Sequence, residues 1–217
     1  MFIGHFGVAF GAKTAAPRVS LGSLFLAAQF IDLLWPTFLL LGWEEVRIAP
    51  GITTVTPLDF VSYPLSHSLL AVIAWALIVA AIYLFLCRYP RGALVLATAV
   101  ISHWLLDALV HRPDLPLYPG GTILIGLGLW SSVGVTLAVE LPILVIGLWI
   151  YVRATAARDP VGYWALWGLV AVLLAIYAAN LLGPPPPSAI AVAWVAQAQW
   201  LLVVWGYWVD RHRRTVG

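Results

Sequence analysis

Charge is what this sequence has least of. Only 9% of its 217 residues are charged, against roughly 25% in an ordinary soluble domain, so there are too few ionic side chains to coat a soluble domain of this size. One cysteine, Cys87, excludes an internal disulfide. The eleven Lys and Arg residues lie in short loops with no basic stripe or patch, which argues against nucleic acid as a partner. No basic residue precedes the apolar start and no small-residue cleavage site follows it, so the N-terminus does not read as a cleavable signal.

In place of charge there is hydrocarbon. Hydrophobic residues make up 63% of the chain, with twelve Trp and eight Tyr, the rings that collect at the headgroup level of a bilayer. About 20 apolar residues cross a bilayer core, and six runs approach that length: Ser20 to Gly42, Leu65 to Cys87, Ala93 to Val110, Ser131 to Val152, Val161 to Leu182 and Ala189 to Val209. The expected fold is all-α, a polytopic transmembrane helix bundle in one domain. Lys13, Arg18, Arg88, Arg91, Arg153, Arg158, Arg211, Arg213 and Arg214 fall on one side of such a bundle. By the positive-inside rule that side is cytoplasmic. Trp43 to Pro64, His111 to Gly121 and Pro184 to Pro187 are then outside, with Glu44, Glu45 and Asp59 expected to be solvated there. Phe2 to Lys13 is too short to span and reads as a half-length helix that places His5 near mid-membrane. Its Gly7 and Gly11 form a G-x-x-x-G pair suited to close helix approach.

Against this background the informative residues are those that hydrocarbon excludes. They are His5, Asp32, His67, His103, Asp107, His111 and Glu140, and they include four of the five histidines. His212 sits among arginines and is assigned no role. His103, Asp107 and His111 recur every four residues, which lines them on one helix face within about 12 Å, and Asp114 could extend that face. Nitrogen and oxygen donors in this arrangement suit Zn²⁺, Mn²⁺ or Fe²⁺. No Lys or Arg lies inside any span, so the buried acids must be protonated or neutralised by bound cations, and the neighbouring imidazoles favour cations. Each residue also has a plainer reading. A lone intramembrane histidine is often an interhelical hydrogen-bond partner, Ser66 and Ser68 beside His67 can simply cap a helix, Glu140 alone is equally well a protonated carboxyl, and Asn180, Gln197 and Gln199 read as helix glue.

The segments Gly4-His5-Phe6-Gly7, Asp32, Tyr63-Pro64-Leu65-Ser66-His67-Ser68, Ser102-His103-Trp104-Leu105-Leu106-Asp107 and His111-Arg112-Pro113-Asp114 resemble, in order and character, the YdjM-like bacterial inner-membrane proteins, described as predicted membrane-bound metal-dependent hydrolases. The resemblance covers roughly the first two thirds of the chain. That family is in turn similar to the zinc-dependent phospholipases C and related nucleases, which hold three zinc ions in an all-helical core. The resemblance implies a phospholipase C-like metal-binding core over residues 1–152, with residues 153–217 as two supporting helices. It implies His5, Asp32, His67, His103, Asp107, His111 and Glu140 as ligands. Thr136 stands where the pattern has a histidine, so two zinc ions are expected where the full pattern would hold three, with manganese as the alternative metal; the amine of Met1 could serve as a ligand only if the N-terminus folds inward. Asp107 or Asp32 would bridge the ions and the other take the proton of an attacking water, with Ser66, Ser102 or Asp114 behind them. Membrane lipid is then both environment and candidate substrate, as a phosphoester reached from the outer leaflet of a bacterial-type inner membrane. A divalent cation or proton transporter using the same cluster is the alternative. A purely structural metal is a third reading, disfavoured by the number of candidate ligands.

Overall fold

The computed structural model describes residues 1–216. Its helices, in chain order, are α1 (Ile3–Ala15), α2 (Leu21–Ala28), α3 (Phe30–Leu40), α4 (Leu69–Cys87), α5 (Pro90–Val110), α6 (Val133–Ala154), α7 (Pro160–Leu182), α8 (Ala189–Gln197) and α9 (Gln199–Arg211). Five helical segments are long and apolar enough to cross a membrane, α8 and α9 counting as one, or six if the bent pair of α2 and α3 is one span. Their outward faces are apolar: Phe85 is 82% and Leu182 is 86% exposed. Side chains of that size left uncovered belong against lipid, and the chain is a membrane protein.

Local chemistry sets the boundaries. Ser20, Ser68, Ser132 and Ser188 cap α2, α4, α6 and α8 by accepting a backbone N–H, as Asp159 does for α7. Pro90 opens α5 at a position where its missing N–H costs nothing.

Three features depart from the expectation. The first span is not continuous, since α2 and α3 meet at 56°. The carbonyl of Ala28, which would accept Asp32 N–H in an unbroken helix, accepts His103 Nδ1 instead at 2.6 Å. The second departure is that the loops are not purely irregular. They carry antiparallel two-stranded pairs: β1 (Glu45–Ile48) with β2 (Leu58–Ser62), β3 (Leu115–Pro116) with β4 (Leu124–Ile125), and β5 (Thr155–Ala157) with β6 (Arg213–Thr215). The third is Lys13, which the sequence reading puts at the cytoplasmic end of the half-length helix. It is buried, donating to Val19 O at 2.8 Å and to both oxygens of Asp210 at 3.0 and 3.1 Å, which ties the end of α1 to α9.

Two glycine crossings bring helix backbones together. The Gly7 and Gly147 backbones meet where α1 crosses α6. A Cβ on Gly147 would lie 1.9 Å from Gly7 O. Gly206 of α9 packs on Gly22 of α2 in the same way, with its Cβ position 3.0 Å from Gly22 Cα.

Candidate metal centre

The α1–α6 crossing places the start of α1 against Glu140. Glu140 Oε2 accepts the N–H groups of Phe2 at 2.9 Å and Gly4 at 3.3 Å, satisfying donors that the first turn of a helix leaves free and putting a carboxylate at the positive end of its dipole. The Met1 nitrogen turns inward and donates to Asp107 Oδ1 at 2.5 Å, and His5 Nε2 lies 3.1 Å from the same oxygen.

The other oxygen of Asp107 faces a different set of donors. Oδ2 is 3.1 Å from His103 Nε2 and 3.7 Å from His67 Nε2. Asp32, in the first turn of α3, completes the ring: Oδ1 is 3.4 Å from His67 Nε2 and Oδ2 is 3.5 Å from His103 Nε2. Two groups of donor atoms lie within 4.8 Å of one another, His5 with His103 and Asp107, and Asp32 with His67 and His103. The His5 and His103 rings stack with centroids 3.5 Å apart. All of these side chains are sealed from the surface except Asp32, whose side chain is 22% exposed.

Hydrogen bonds behind these candidate donors decide which nitrogens are free. A carbonyl only accepts, so His103 carries its proton on Nδ1, toward Ala28 O, and a neutral ring presents a bare Nε2 to the two carboxylates. That Nε2 has no hydrogen-bond partner, and neither has His5 Nδ1. Lone pairs of nitrogen and carboxylate oxygen facing each other at 3.1–3.7 Å repel unless a proton or a cation lies between them. The spacing suits a cation: the ligands of a tetrahedral ion with bonds near 2.1 Å stand about 3.4 Å apart. Imidazole and carboxylate are the donor set of zinc or manganese.

Of the residues singled out in the sequence, His5, Asp32, His67, His103 and Asp107 converge. Glu140 reaches the edge of the cluster as the acceptor for α1. His111 belongs to neither donor group. His111 caps α5, its N–H still bonding Asp107 O at 2.8 Å, but its ring is engaged away from the donors. Its Nδ1 bonds Asp114 Oδ1 at 3.0 Å, an oxygen that also accepts the Tyr63 hydroxyl at 2.8 Å. Arg112 reaches from Asp114 to Asp59, so neither acid of this outer cluster stands free. The His111 ring lies 4.3 Å from Trp130, 4.8 Å from Phe60 and 6.5 Å from His67. Burial pushes its imidazole below the ordinary value, against the hydrogen bond it makes to Asp114, and burial with the Asp114 charge holds the Tyr63 phenol up.

Thr136 is buried and spends its hydroxyl on Leu129 O and Ser132 O. Ser102 bonds back to Ala99 O, away from the donors. Ser68, not Ser66, is the helix cap. His212 pairs with Asp159 at 2.7 Å, and Gln197 bonds Thr37 at 2.9 Å.

One residue overturns its sequence reading. Glu44, expected in solvent, is 5% exposed. Its Oε1 accepts Leu65 N–H and Ser66 N–H, both at 2.8 Å, and its Oε2 accepts the Ser66 hydroxyl at 2.7 Å. Ser66 Oγ in turn lies 2.7 Å from His67 Nδ1. The left-handed turn at Gly42 folds the segment back onto the site, and that glycine was the one signal in the sequence that the chain reverses there.

No family model, curated protein or solved structure matches the chain.

Proposed function

We propose that this chain is a membrane-embedded metal-dependent hydrolase that cleaves a phosphoester of a lipid or other amphiphile with a metal-activated water. The observation that carries the proposal is the ring of His67 Nε2, His103 Nε2, Asp32 and Asp107 Oδ2, spaced 3.1–3.7 Å apart with a bare, unpartnered nitrogen at His103. The similarity of the motif order to the YdjM-like proteins and, more distantly, to phospholipase C supports the same reading.

Two ions are proposed, zinc first and manganese as the alternative. One would be held by His67, His103, Asp32 and Asp107, and the second by His5 and Asp107. Asp107, whose two oxygens face the two sets, would be the ligand shared between them. When bound, such a pair supplies Lewis acidity at a phosphoryl oxygen and lowers the pKa of water to roughly 7. The residues do the rest. Ala28 O fixes His103 in one tautomer. The Met1 nitrogen holds Asp107 by donating to Oδ1, which leaves Oδ2 turned toward His67 and His103. Asp32 is the one donor with an exposed edge, which suits it to hold the proton of an attacking water while in-line displacement releases the alcohol. We place the site toward the outer leaflet of a bacterial-type inner membrane with the basic loops cytoplasmic, so an amphiphile would enter sideways from the bilayer.

The test is metal content by mass spectrometry on detergent-purified wild type, His103→Ala and Asp107→Ala, followed by phospholipid hydrolysis. About two equivalents of zinc or manganese, lost in both variants, with phosphate-containing headgroup released only by wild type, is the expected result. A folded wild type that neither carries nor takes up metal would sink the proposal. Stoichiometric metal without hydrolysis, but with metal flux in proteoliposomes, would replace it with the transporter reading.

A further inference from the structure

We propose that Glu44 is a positioning residue of this centre, acting through Ser66 to set the proton on His67, so that the first residue of the outer loop region to fold back controls metal affinity; the inference rests on the metal-site reading above. The chain of atoms is short and each bond has a direction. Glu44 Oε1 faces two backbone N–H groups and can only accept from them. Its Oε2 faces the Ser66 hydroxyl at 2.7 Å, and a carboxylate there accepts the single hydroxyl proton. Ser66 Oγ then has lone pairs but no hydrogen for its other neighbour, His67 Nδ1, also at 2.7 Å. That nitrogen must donate. The proton of a neutral His67 therefore sits on Nδ1, and Nε2 is bare toward Asp32 and Asp107.

The turn carrying this relay is held elsewhere as well. His67 N–H bonds Tyr63 O at 3.0 Å, Trp104 Nε1 bonds His67 O at 2.8 Å, and Ser68 Oγ bonds Pro64 O at 2.6 Å. These bonds hold the turn alongside the two N–H groups that Glu44 Oε1 accepts, and orientation of the imidazole is the task of Oε2 through Ser66. A ligating histidine with its second nitrogen bonded in this way is fixed in tautomer and made more basic, and loss of such a partner lowers metal affinity by roughly 10–100-fold.

The relay makes one substitution diagnostic. In Glu44→Gln the amide keeps the size of the side chain, but its carbonyl must stay on the two N–H groups, so its NH₂ faces Ser66. Ser66 then receives a hydrogen bond where it used to donate one, turns its own proton toward His67 Nδ1, and drives the imidazole proton onto Nε2, where it blocks the metal.

The experiment titrates full-length detergent-purified protein with Zn²⁺ against a chromophoric chelator and records the visible spectrum of the Co²⁺-loaded form. The wild type is compared with Glu44→Gln, Ser66→Ala, Ser66→Thr and the same Glu44→Gln change in a His67→Gln background. Expected are about a 100-fold loss of affinity in Glu44→Gln and about a 10-fold loss in Ser66→Ala, each with an altered Co²⁺ spectrum, and near wild-type affinity in Ser66→Thr. In the His67→Gln background Glu44→Gln should cost nothing further, because the residue acts only through that ring. Wild-type affinity and spectrum in Glu44→Gln would overturn the inference while leaving the metal site standing. So would an equal loss on the His67→Gln background, which would make Glu44 a general structural support. If Ser66→Ala does not fold, the isosteric Glu44→Gln and the double variant decide alone. Absence of metal binding by wild type is a separate result and removes the metal-site reading itself.

Discussion

The tightest backbone approach near the site is the crossing of α1 and α6, and replacing Gly147 by alanine tests whether the donors depend on it. The new Cβ would sit 1.9 Å from Gly7 O and 2.6 Å from Gly7 C, where ordinary contact begins at 3.4 Å. Both clashing atoms are backbone, so no side chain can swing aside and the helices must separate. Overpacking of this kind costs about 1–3 kcal/mol. Separation would also strain the bonds from Phe2 and Gly4 N–H to Glu140, now 2.9 and 3.3 Å, because one partner rides on each helix. The variant should therefore unfold at lower temperature in detergent and carry less metal. Two controls set the scale. Gly134, on the same helix, has nothing within 4 Å of its Cβ position, and the nearest atom to a Cβ on Gly11 is Gly147 Cα at an ordinary 3.7 Å. Alanine at either should be neutral or stabilising by up to about 1 kcal/mol through helix propensity. If Gly147→Ala melted and bound metal like Gly134→Ala, the argument from close approach would be refuted.

Other outcomes follow from the same coordinates. His111→Gln should leave metal content unchanged, since the ring bonds Asp114 and lies outside both donor groups; a loss of one equivalent would restore His111 as a ligand. Lys13→Met strands Asp210, whose side chain is 20% exposed, and should lower stability by about 2–3 kcal/mol, toward the small end for a broken buried pair, with much of the loss recovered in Lys13→Met/Asp210→Asn when chemical denaturation is compared. Cys87, the single cysteine, is exposed at the end of α4 beside Arg88; a membrane-impermeant thiol reagent should label it in inverted vesicles and not in intact spheroplasts, and the reverse pattern would invert the proposed sidedness.

Much of this was readable because hydrocarbon is an intolerant solvent. The runs from Leu65 to Cys87 and from Val161 to Leu182 fall on α4 and α7, and the four-residue interval between His103 and Asp107 does put both on one face of α5. What could not be read was where helices stop for tertiary reasons. Ser20 to Gly42 has no composition break at Gln29, and the bend there comes from an imidazole of α5. The interval from Asp107 to His111 is helical, as it looked, yet the His111 ring is taken by Asp114 and by the rings of Phe60 and Trp130. Glu44 looked solvated because its two N–H partners belong to backbone 21 and 22 residues away, and backbone donors carry no mark in a sequence. Lys13 likewise found its acid at Asp210, almost the whole chain distant.

The bend at Ala28 links two of the proposed ligands in a way that neither shows alone. The imidazole that offers Nε2 to the centre is also the wedge that takes a carbonyl from the first span, and α3, with Asp32 in its first turn, departs at that point. Removing His103 would return Ala28 O to Asp32 N–H and let the span straighten, carrying a carboxylate out of reach. The two donors are thus gained or lost as one unit. A sequence drifting under selection could not exchange that histidine for another donor without also finding a new way to break the helix.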